Sequence, residues 1–140
     1  MITELVRSVY TNLLNLLCII RTRKISSKDI FPPVLILSPH PDDEVFGCGG
    51  LIKRCLSQNI TIHVAMLTGG GESHRGCCSL DEHTIENNRR KLTTTALTSL
   101  GLPIENIHFF NFKDGHINER PSNEMNRLAR LIDRVQPTSI

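Results

Sequence analysis

Short, predominantly apolar runs recur along the chain and are separated by longer segments of mixed polarity. These runs occupy residues 34–37, 60–67 and 107–112. Short runs rich in Val, Ile, Leu and Phe and bounded by turn residues are typical of strands buried on both faces of a parallel sheet. The pattern therefore predicts three parallel strands.

The segments that follow these strands predict helices. Apolar positions at helical spacing predict a first helix through residues 51–58. A second, polar-faced helix is predicted over residues 84–100, because Gly101 and Pro103 supply the usual stop signals behind it. A third is predicted over residues 124–135, before the next proline.

The alternation of strand and helix continues without an internal repeat from residue 31 to residue 140. It predicts one α/β domain with a Rossmann-like, doubly wound, mostly parallel sheet. Ligands of such sheets bind outside the carboxyl ends of the strands. A polar loop follows each predicted strand at that end, so we expect the functional residues there.

Residues 1–30 are predicted to form a separate N-terminal element, an amphipathic helix over residues 2–20 with a linker. The longest apolar run of this helix, residues 16–20, is far shorter than the roughly 20 residues of a bilayer span. The basic residues within 21–24 would let the helix lie on an anionic membrane surface. Packing against its own domain is the interpretation that we favour.

Composition and charge narrow the class of partner. The chain has 140 residues, 39% of them hydrophobic, which is enough for one core. The net charge of +2 comes from acidic and basic residues that are spread along the sequence, so no basic face indicates a nucleic-acid partner. The five cysteines form no CxxC pair and indicate a reducing compartment. We expect a cytoplasmic protein with a small-molecule partner, and the sequence specifies no oligomeric state.

Four polar residues, His40, Asp42, Asp43 and Glu44, follow the first predicted strand. The three acids could cap the next helix, but one acid would suffice for that. A divalent metal explains more, because a His nitrogen and one Asp can bind it while the other Asp accepts a proton from water. The following G-C-G-G segment differs from the G-x-G-x-x-G fingerprint, and the acids would repel a pyrophosphate, which argues against a dinucleotide site.

The segment "SPHPDDEVFGCGG" resembles the P-H-P-D-D-E signature of the LmbE-like (PIG-L) deacetylases. These are zinc enzymes that remove the acetyl group from N-acetylglucosamine carried on various aglycones. The resemblance extends over residues 33–135 and implies the LmbE-like fold for residues 31–140.

Further matches lie in the later loops and in the second helix. Residues 68–73 are similar to the T-x-G-x-x-S loop of the family, and residues 114–115 to its D-G turn. Arg89 begins a match to the helix pattern R-x-x-E-x-x-x-A-x-x-x-L-G that ends at Gly101. Leu92 stands where the family has the Glu of that helix.

The resemblance implies a role for each matching residue. His40 and Asp43 are expected to bind Zn²⁺, or another divalent metal, and Asp42 to act as the general base. The residues expected to bind the substrate, an N-acetylglucosamine-type sugar conjugate, are Thr68, Gly70, Gly71, Arg89 and Asp114.

The family's third metal ligand is a His in an H-x-D-H segment after the next strand, and the sequence stops at Ile140, where that strand would begin. We therefore expect a deacetylase domain that is truncated at its C-terminus. The alternative is a non-catalytic remnant that binds metal or sugar weakly. His74, His83 and His116 are candidate replacements for the third ligand. By contrast, His63 and His108 lie within predicted strands and are expected to be structural.

Overall fold

The computed structural model describes residues 12, 30–74, 76, 79–117 and 122–140. By its internal contacts the chain divides into two units, Met1–Ile30 and Phe31–Ile140. The helix predicted over residues 2–20, with its membrane-surface alternative, lies outside the described residues apart from residue 12 and stays a prediction. The second unit contains the sheet and the candidate site.

Three parallel strands lie side by side in chain order: β1 (Val34–Ser38), β2 (Ile62–Thr68) and β3 (Ile107–Phe112). The three predicted strands are therefore confirmed. β2 begins later than predicted because the Ile60 amide donates to the Cys55 carbonyl oxygen at 2.9 Å. Residue 60 thus belongs to the turn that ends the preceding helix.

One α-helix follows each strand: α1 (Asp43–Ser57), α2 (Glu82–Leu100) and α3 (Ser122–Val135). α2 begins before its predicted start because the Asp81 carboxylate accepts a hydrogen bond from the Thr84 amide at 2.9 Å and caps the first turn. It ends where predicted, before Gly101, which has φ 101°. Among the described residues no helix is long and apolar enough to cross a bilayer.

The helices cover both faces of the sheet. One face packs against α3 through a buried cluster of six residues: Leu35, Ala65, Phe110, Phe112, Leu131 and Val135. Side chains alternate between the two faces along a strand, so the neighbours of Leu35 point to the other face. α1 and α2 contact each other and the strands there, and they bury Ile52 and Leu97 completely. The doubly wound α/β arrangement is confirmed.

The last residues of the chain pair with the free edge of β1. Ser139 forms a parallel bridge with Val34, and its carbonyl oxygen accepts a hydrogen bond from the Leu35 amide at 2.9 Å. The chain thus passes from β3 at one edge of the sheet to the far side of β1. Strand order reverses beside β1, and in such sheets this switch point opens the crevice in which ligands bind.

Candidate metal and catalytic site

A hydrogen-bonded group of three side chains lies at the carboxyl end of β1. His40 Nδ1 is 3.2 Å from Asp43 Oδ2, and His40 Nε2 is 2.9 Å from Asp114 Oδ1. The Asp114 carboxylate, in the turn after β3, is only 12% exposed. Its Oδ2 accepts a hydrogen bond from the Glu72 amide at 3.2 Å. The structure therefore brings the two predicted metal ligands into contact with a predicted substrate-binding residue. Asp114 in turn connects this group to the loop after β2.

Asp42 occupies the N-cap position of α1, but its side chain makes no capping hydrogen bond. Its Oδ2 instead accepts a hydrogen bond from Arg89 Nη2 at 2.8 Å, and Arg89 Nη1 donates to the Gly70 carbonyl oxygen at 3.2 Å. Asp42 has φ 113°, which is rare for a residue with a side chain. Helix capping therefore does not explain the Asp42 carboxylate, which is directed to α2.

The loop after β2 lies against both β1 and α2. The Thr68 amide and hydroxyl both donate to the Pro39 carbonyl oxygen at 3.0 Å, and the hydroxyl accepts a hydrogen bond from the Gly70 amide at 3.2 Å. Gly70 has φ +67°, and a Cβ there would collide with the Arg89 guanidinium. A Cβ on Gly71 would lie 3.1 Å from the Glu86 carboxylate. The predicted sugar-pocket residues thus form a tight loop with its backbone beside Arg89.

Glu44 lies beside these residues, although its place in the motif predicts no separate role for it. It is 1% exposed although it lies in the first turn of α1. Its Oε2 accepts hydrogen bonds from the Asp42 amide at 2.9 Å and from the Ser38 hydroxyl at 3.2 Å. Its Oε1 is buried and has no hydrogen-bond partner among the described residues. The sequence contains one sign of a further role for Glu44, because three consecutive acids stand at the start of a helix that a single acid would cap.

The donor atoms at the end of β1 fit two positions of a metal site. His40 Nδ1 and Asp43 Oδ2 lie 3.2 Å apart. Two ligand atoms at about 2.0–2.1 Å from a tetrahedral Zn²⁺ are separated by about 3.3 Å. Across the described ranges, no group of three or more His, Cys, Asp or Glu residues has the arrangement to hold a metal ion. The described residues thus offer two candidate ligands, one fewer than catalytic zinc sites usually have.

Among the described side chains, neither His83 nor His116 joins this pair in a metal cluster. His83 is exposed in the first turn of α2, with a ring nitrogen 3.1 Å from Asn87 Nδ2. His116 Nδ1 donates to the Asp114 carbonyl oxygen at 2.9 Å. The side chain of His74 lies outside the described ones.

His63 and His108, expected to be structural, form a pair on the sheet. His63 Nδ1 is 3.1 Å from His108 Nε2, and the rings are stacked with centroids 5.4 Å apart. Burial and the nearby Arg134 charge lower the pKa of His63. Burial, followed by the His63 and Arg134 charges, lowers the pKa of His108 to about 4. The surroundings therefore disfavour the charged form of both rings.

A mostly apolar cavity of about 200 Å³ lies between α1 and α2 beside the Asp42–Arg89 pair. Phe46 and Leu92, 88% and 70% exposed, contribute to its wall. Leu92 is the departure from the family pattern noted above. Arg89 pairs with Asp42 in this chain, and residue 92 presents an apolar side chain to the cavity.

Comparisons with known proteins identify the family of this chain. The profile of the PIG-L family, described as GlcNAc-PI de-N-acetylase, matches residues 35–140. A Bacillus cereus protein named "Probable N-acetyl-alpha-D-glucosaminyl L-malate deacetylase 2" is 27% identical over 110 residues, which are 76% of this chain and 49% of that protein.

Two solved structures share the fold. The N,N'-diacetylchitobiose deacetylase of Pyrococcus horikoshii has a TM-score of 0.65 at 28% identity, over 74% of this chain and 38% of that one. GalB of Pseudomonas putida KT2440, a 4-carboxy-2-hydroxymuconate hydratase, has a TM-score of 0.63 at 27% identity, over 74% of this chain and 43% of that one.

The chain spans about half, or less, of the length of these relatives. The relatives also include both deacetylases and a hydratase, so the fold alone does not specify the reaction. The family profile nevertheless covers nearly the whole of the second unit, including every predicted site residue. The chain belongs to the PIG-L family of GlcNAc-PI de-N-acetylases.

Proposed function

We propose that this chain carries the metal-binding and base-bearing part of a zinc-dependent hydrolase that removes the acetyl group from an N-acetylglucosamine-type sugar conjugate. The observation that carries the proposal is the group at the end of β1, in which Asp43 and Asp114 flank the His40 ring and Asp42 directly precedes Asp43 in the chain. The family and the deacetylases among its relatives support the substrate class.

His40 and Asp43 would hold the metal. With Nδ1 beside Asp43, the opposite nitrogen, Nε2, is left to donate to Asp114 at 2.9 Å. A carboxylate in that position fixes the tautomer and orientation of a metal-binding imidazole. We therefore propose that Asp114 orients His40, in addition to the substrate contact predicted for it. Bound zinc supplies Lewis-acid polarisation of the amide carbonyl and lowers the pKa of water to about 7.

Asp42 would accept the proton of the attacking water. Its Oδ2 is held by Arg89, and the described part of the chain gives its Oδ1 no partner. One oxygen is thus anchored while the other remains available for a proton, as a positioned general base requires. The carboxylate is partly exposed at the crevice.

The loop after β2 and the cavity beside it would hold the sugar conjugate. Gly70 and Gly71 bring bare backbone close to Arg89 and Glu86, and Thr68 ties this loop to the residue before His40. Such an arrangement can contact sugar hydroxyls through backbone groups and Arg89. The adjacent apolar cavity is large enough for a small apolar portion of the aglycone.

A specific observation favours the alternative function, a non-catalytic protein that binds metal or sugar weakly. The described residues contain no group of three or more His, Cys, Asp or Glu that could hold a metal ion, so His40 and Asp43 would bind it without a third ligand from among them. If the chain as given acts alone, a metal held by two side chains would bind loosely.

The zinc content of the purified chain and its release of acetate decide between these functions. N,N'-diacetylchitobiose and N-acetylglucosaminyl malate, the compounds in the names of two relatives, are suitable substrates beside a simple methyl glycoside. Stoichiometric zinc with acetate release that is lost on Asp42→Asn supports the hydrolase. Zinc or sugar binding without acetate release supports the alternative, and the absence of both contradicts the two proposals.

A further inference from the structure

The backbone of Asp42 is held in an unfavourable conformation. An N-cap residue ordinarily has a β-region backbone, and its side-chain oxygen accepts a hydrogen bond from an amide in the first turn. Asp42 has φ 113° and ψ −31° and makes no such bond. Conformations of this kind persist only where the surrounding structure over-determines them, and they concentrate at functional sites.

The contact that opposes relaxation of Asp42 comes from Glu44. The Asp42 amide donates to Glu44 Oε2 at 2.9 Å, and this carboxylate is almost wholly buried. The Ser38 hydroxyl is 3.2 Å from the same oxygen and 2.7 Å from the His40 carbonyl oxygen. Glu44 therefore connects the end of β1, the turn and the start of α1 through one oxygen atom.

The second oxygen of Glu44 shows that this connection has a cost. Oε1 is buried without a hydrogen-bond partner in the described part of the chain. An unsatisfied buried acceptor is unfavourable, and an apolar residue of similar volume would avoid the penalty. An apolar residue could not accept the Asp42 amide hydrogen, however. The benefit of a carboxyl group at this position thus lies in Oε2.

We propose that Glu44 is a positioning residue that holds Asp42 in its positive-φ conformation and so directs the Asp42 carboxylate to Arg89. Without the Glu44 acceptor, the Asp42 backbone relaxes to negative φ and its side chain caps α1. The structural part of the proposal stands by itself. The consequence for catalysis rests on the proposed function, because only a proton-accepting Asp42 needs its carboxylate placed in this way.

The test compares Asp42→Gly with Asp42→Ala in three backgrounds. Both substitutions remove the carboxylate and its Arg89 contact, and they differ only in the Cβ, which is unfavourable at positive φ. With Glu44 present, the Asp42→Gly chain should melt about 4 °C or more above the Asp42→Ala chain. Glu44→Gln keeps an accepting oxygen and should keep this gap. Glu44→Met fills the same space without an acceptor and should reduce this difference in melting temperature to the ordinary preference of an N-cap for glycine over alanine.

An equal gap in all three backgrounds would overturn the proposal, because a merely space-filling Glu44 predicts that result. Hydrogen exchange of the Asp42 amide gives a second measure that does not depend on the folding of any Glu44→Met chain. The amide should be protected in the parent chain and in Glu44→Gln. An Asp42 amide that exchanges without protection in the parent chain would contradict the hydrogen bond on which the proposal depends.

Acetate release separates this proposal from the proposed function. In a chain that releases acetate, Glu44→Met should lower kcat tenfold or more while KM and zinc content stay the same, and Glu44→Gln should retain most of the rate. Absence of acetate release from every form of the protein contradicts the hydrolase, whereas the melting comparison still tests the placement of Asp42. An unchanged kcat in Glu44→Met would show that the placement of Asp42 by Glu44 does not affect catalysis.

Discussion

The Arg89 guanidinium lies 2.8 Å from the Asp42 carboxylate, although 47 positions separate the two residues in the chain. This ion pair connects the middle of α2 to the turn between β1 and α1. Both side chains are partly exposed, so the pair contributes little to the free energy of unfolding, about 0–1 kcal/mol. Its effect is geometric, because it gives the Asp42 carboxylate one orientation.

The first prediction concerns the metal ligands. His40→Ala and Asp43→Ala should each abolish stoichiometric zinc, because each removes one of two donor atoms that lie 3.2 Å apart. Zinc is measured by elemental analysis of the purified chains, and far-UV circular dichroism reports their fold. His83→Ala is the matched control, since His83 is exposed on α2, and it should leave zinc unchanged. Zinc retained by both site variants would show that the ligands are assigned wrongly.

The second prediction separates the base from the ligand, in whichever form of the protein releases acetate. Asp42→Asn keeps the shape of the side chain but removes its basicity, so zinc should stay while kcat falls roughly a hundredfold or more. Asp43→Asn should lose zinc and activity together. The opposite pattern would mean that the two aspartates have exchanged roles.

The third prediction concerns the loop beside Arg89. Gly70→Ala should lower the free energy of unfolding by about 1–3 kcal/mol, because the new methyl group is strained at φ +67° and collides with Arg89. Gly115→Ala, with φ +70° and open space around it, has the strain without the collision and should cost less. Urea unfolding measures both. Equal losses would show that Arg89 moves aside freely.

A third glycine variant is expected to raise the free energy of unfolding rather than lower it. Gly50 lies inside α1, and a Cβ there meets nothing within 4 Å. Gly50→Ala should therefore stabilise the chain by about 0.5–1 kcal/mol, the usual helix preference for alanine over glycine. A loss of stability would indicate that this face of α1 is covered by another part of the protein.

The fourth prediction is a loss of stability in mild acid. The pKa of His63 is lowered, and that of His108 is lowered to about 4, from the ordinary value of 6.5. The unfolded chain therefore binds more protons than the folded one between about pH 6.5 and pH 4, and the free energy of unfolding falls as pH decreases through that range. We expect a fall of the order of 1–2 kcal/mol, allowing for solvent screening of two half-buried rings.

Urea unfolding at a series of pH values measures the slope of the free energy of unfolding against pH. His108→Phe keeps a ring of similar size and should flatten the slope, because it removes the more strongly shifted group. His83→Gln, at an exposed position, should leave the slope as in the parent. A parent slope that His108→Phe does not change would assign the acid sensitivity to other groups.

Local sequence determined the elements of the fold and the place of the motif. The apolar runs predicted all three strands, and Gly101 predicted the end of α2 where the structure has it. His40, Asp42 and Asp43 were correctly expected just behind the first strand. These features depend on side-chain periodicity and on turn chemistry within a few residues, which a single sequence displays directly.

Tertiary structure decided which atoms meet. The Asp114 carboxylate reaches the His40 ring from 74 positions away because β1, β2 and β3 lie parallel with their carboxyl ends at one edge of the sheet. The burial of Glu44 and the positive φ of Asp42 likewise follow from packing the first turn of α1 against the end of β1. Contacts of this kind depend on strand register and helix placement, because the free energy that fixes them comes from burial of the whole core rather than from the motif.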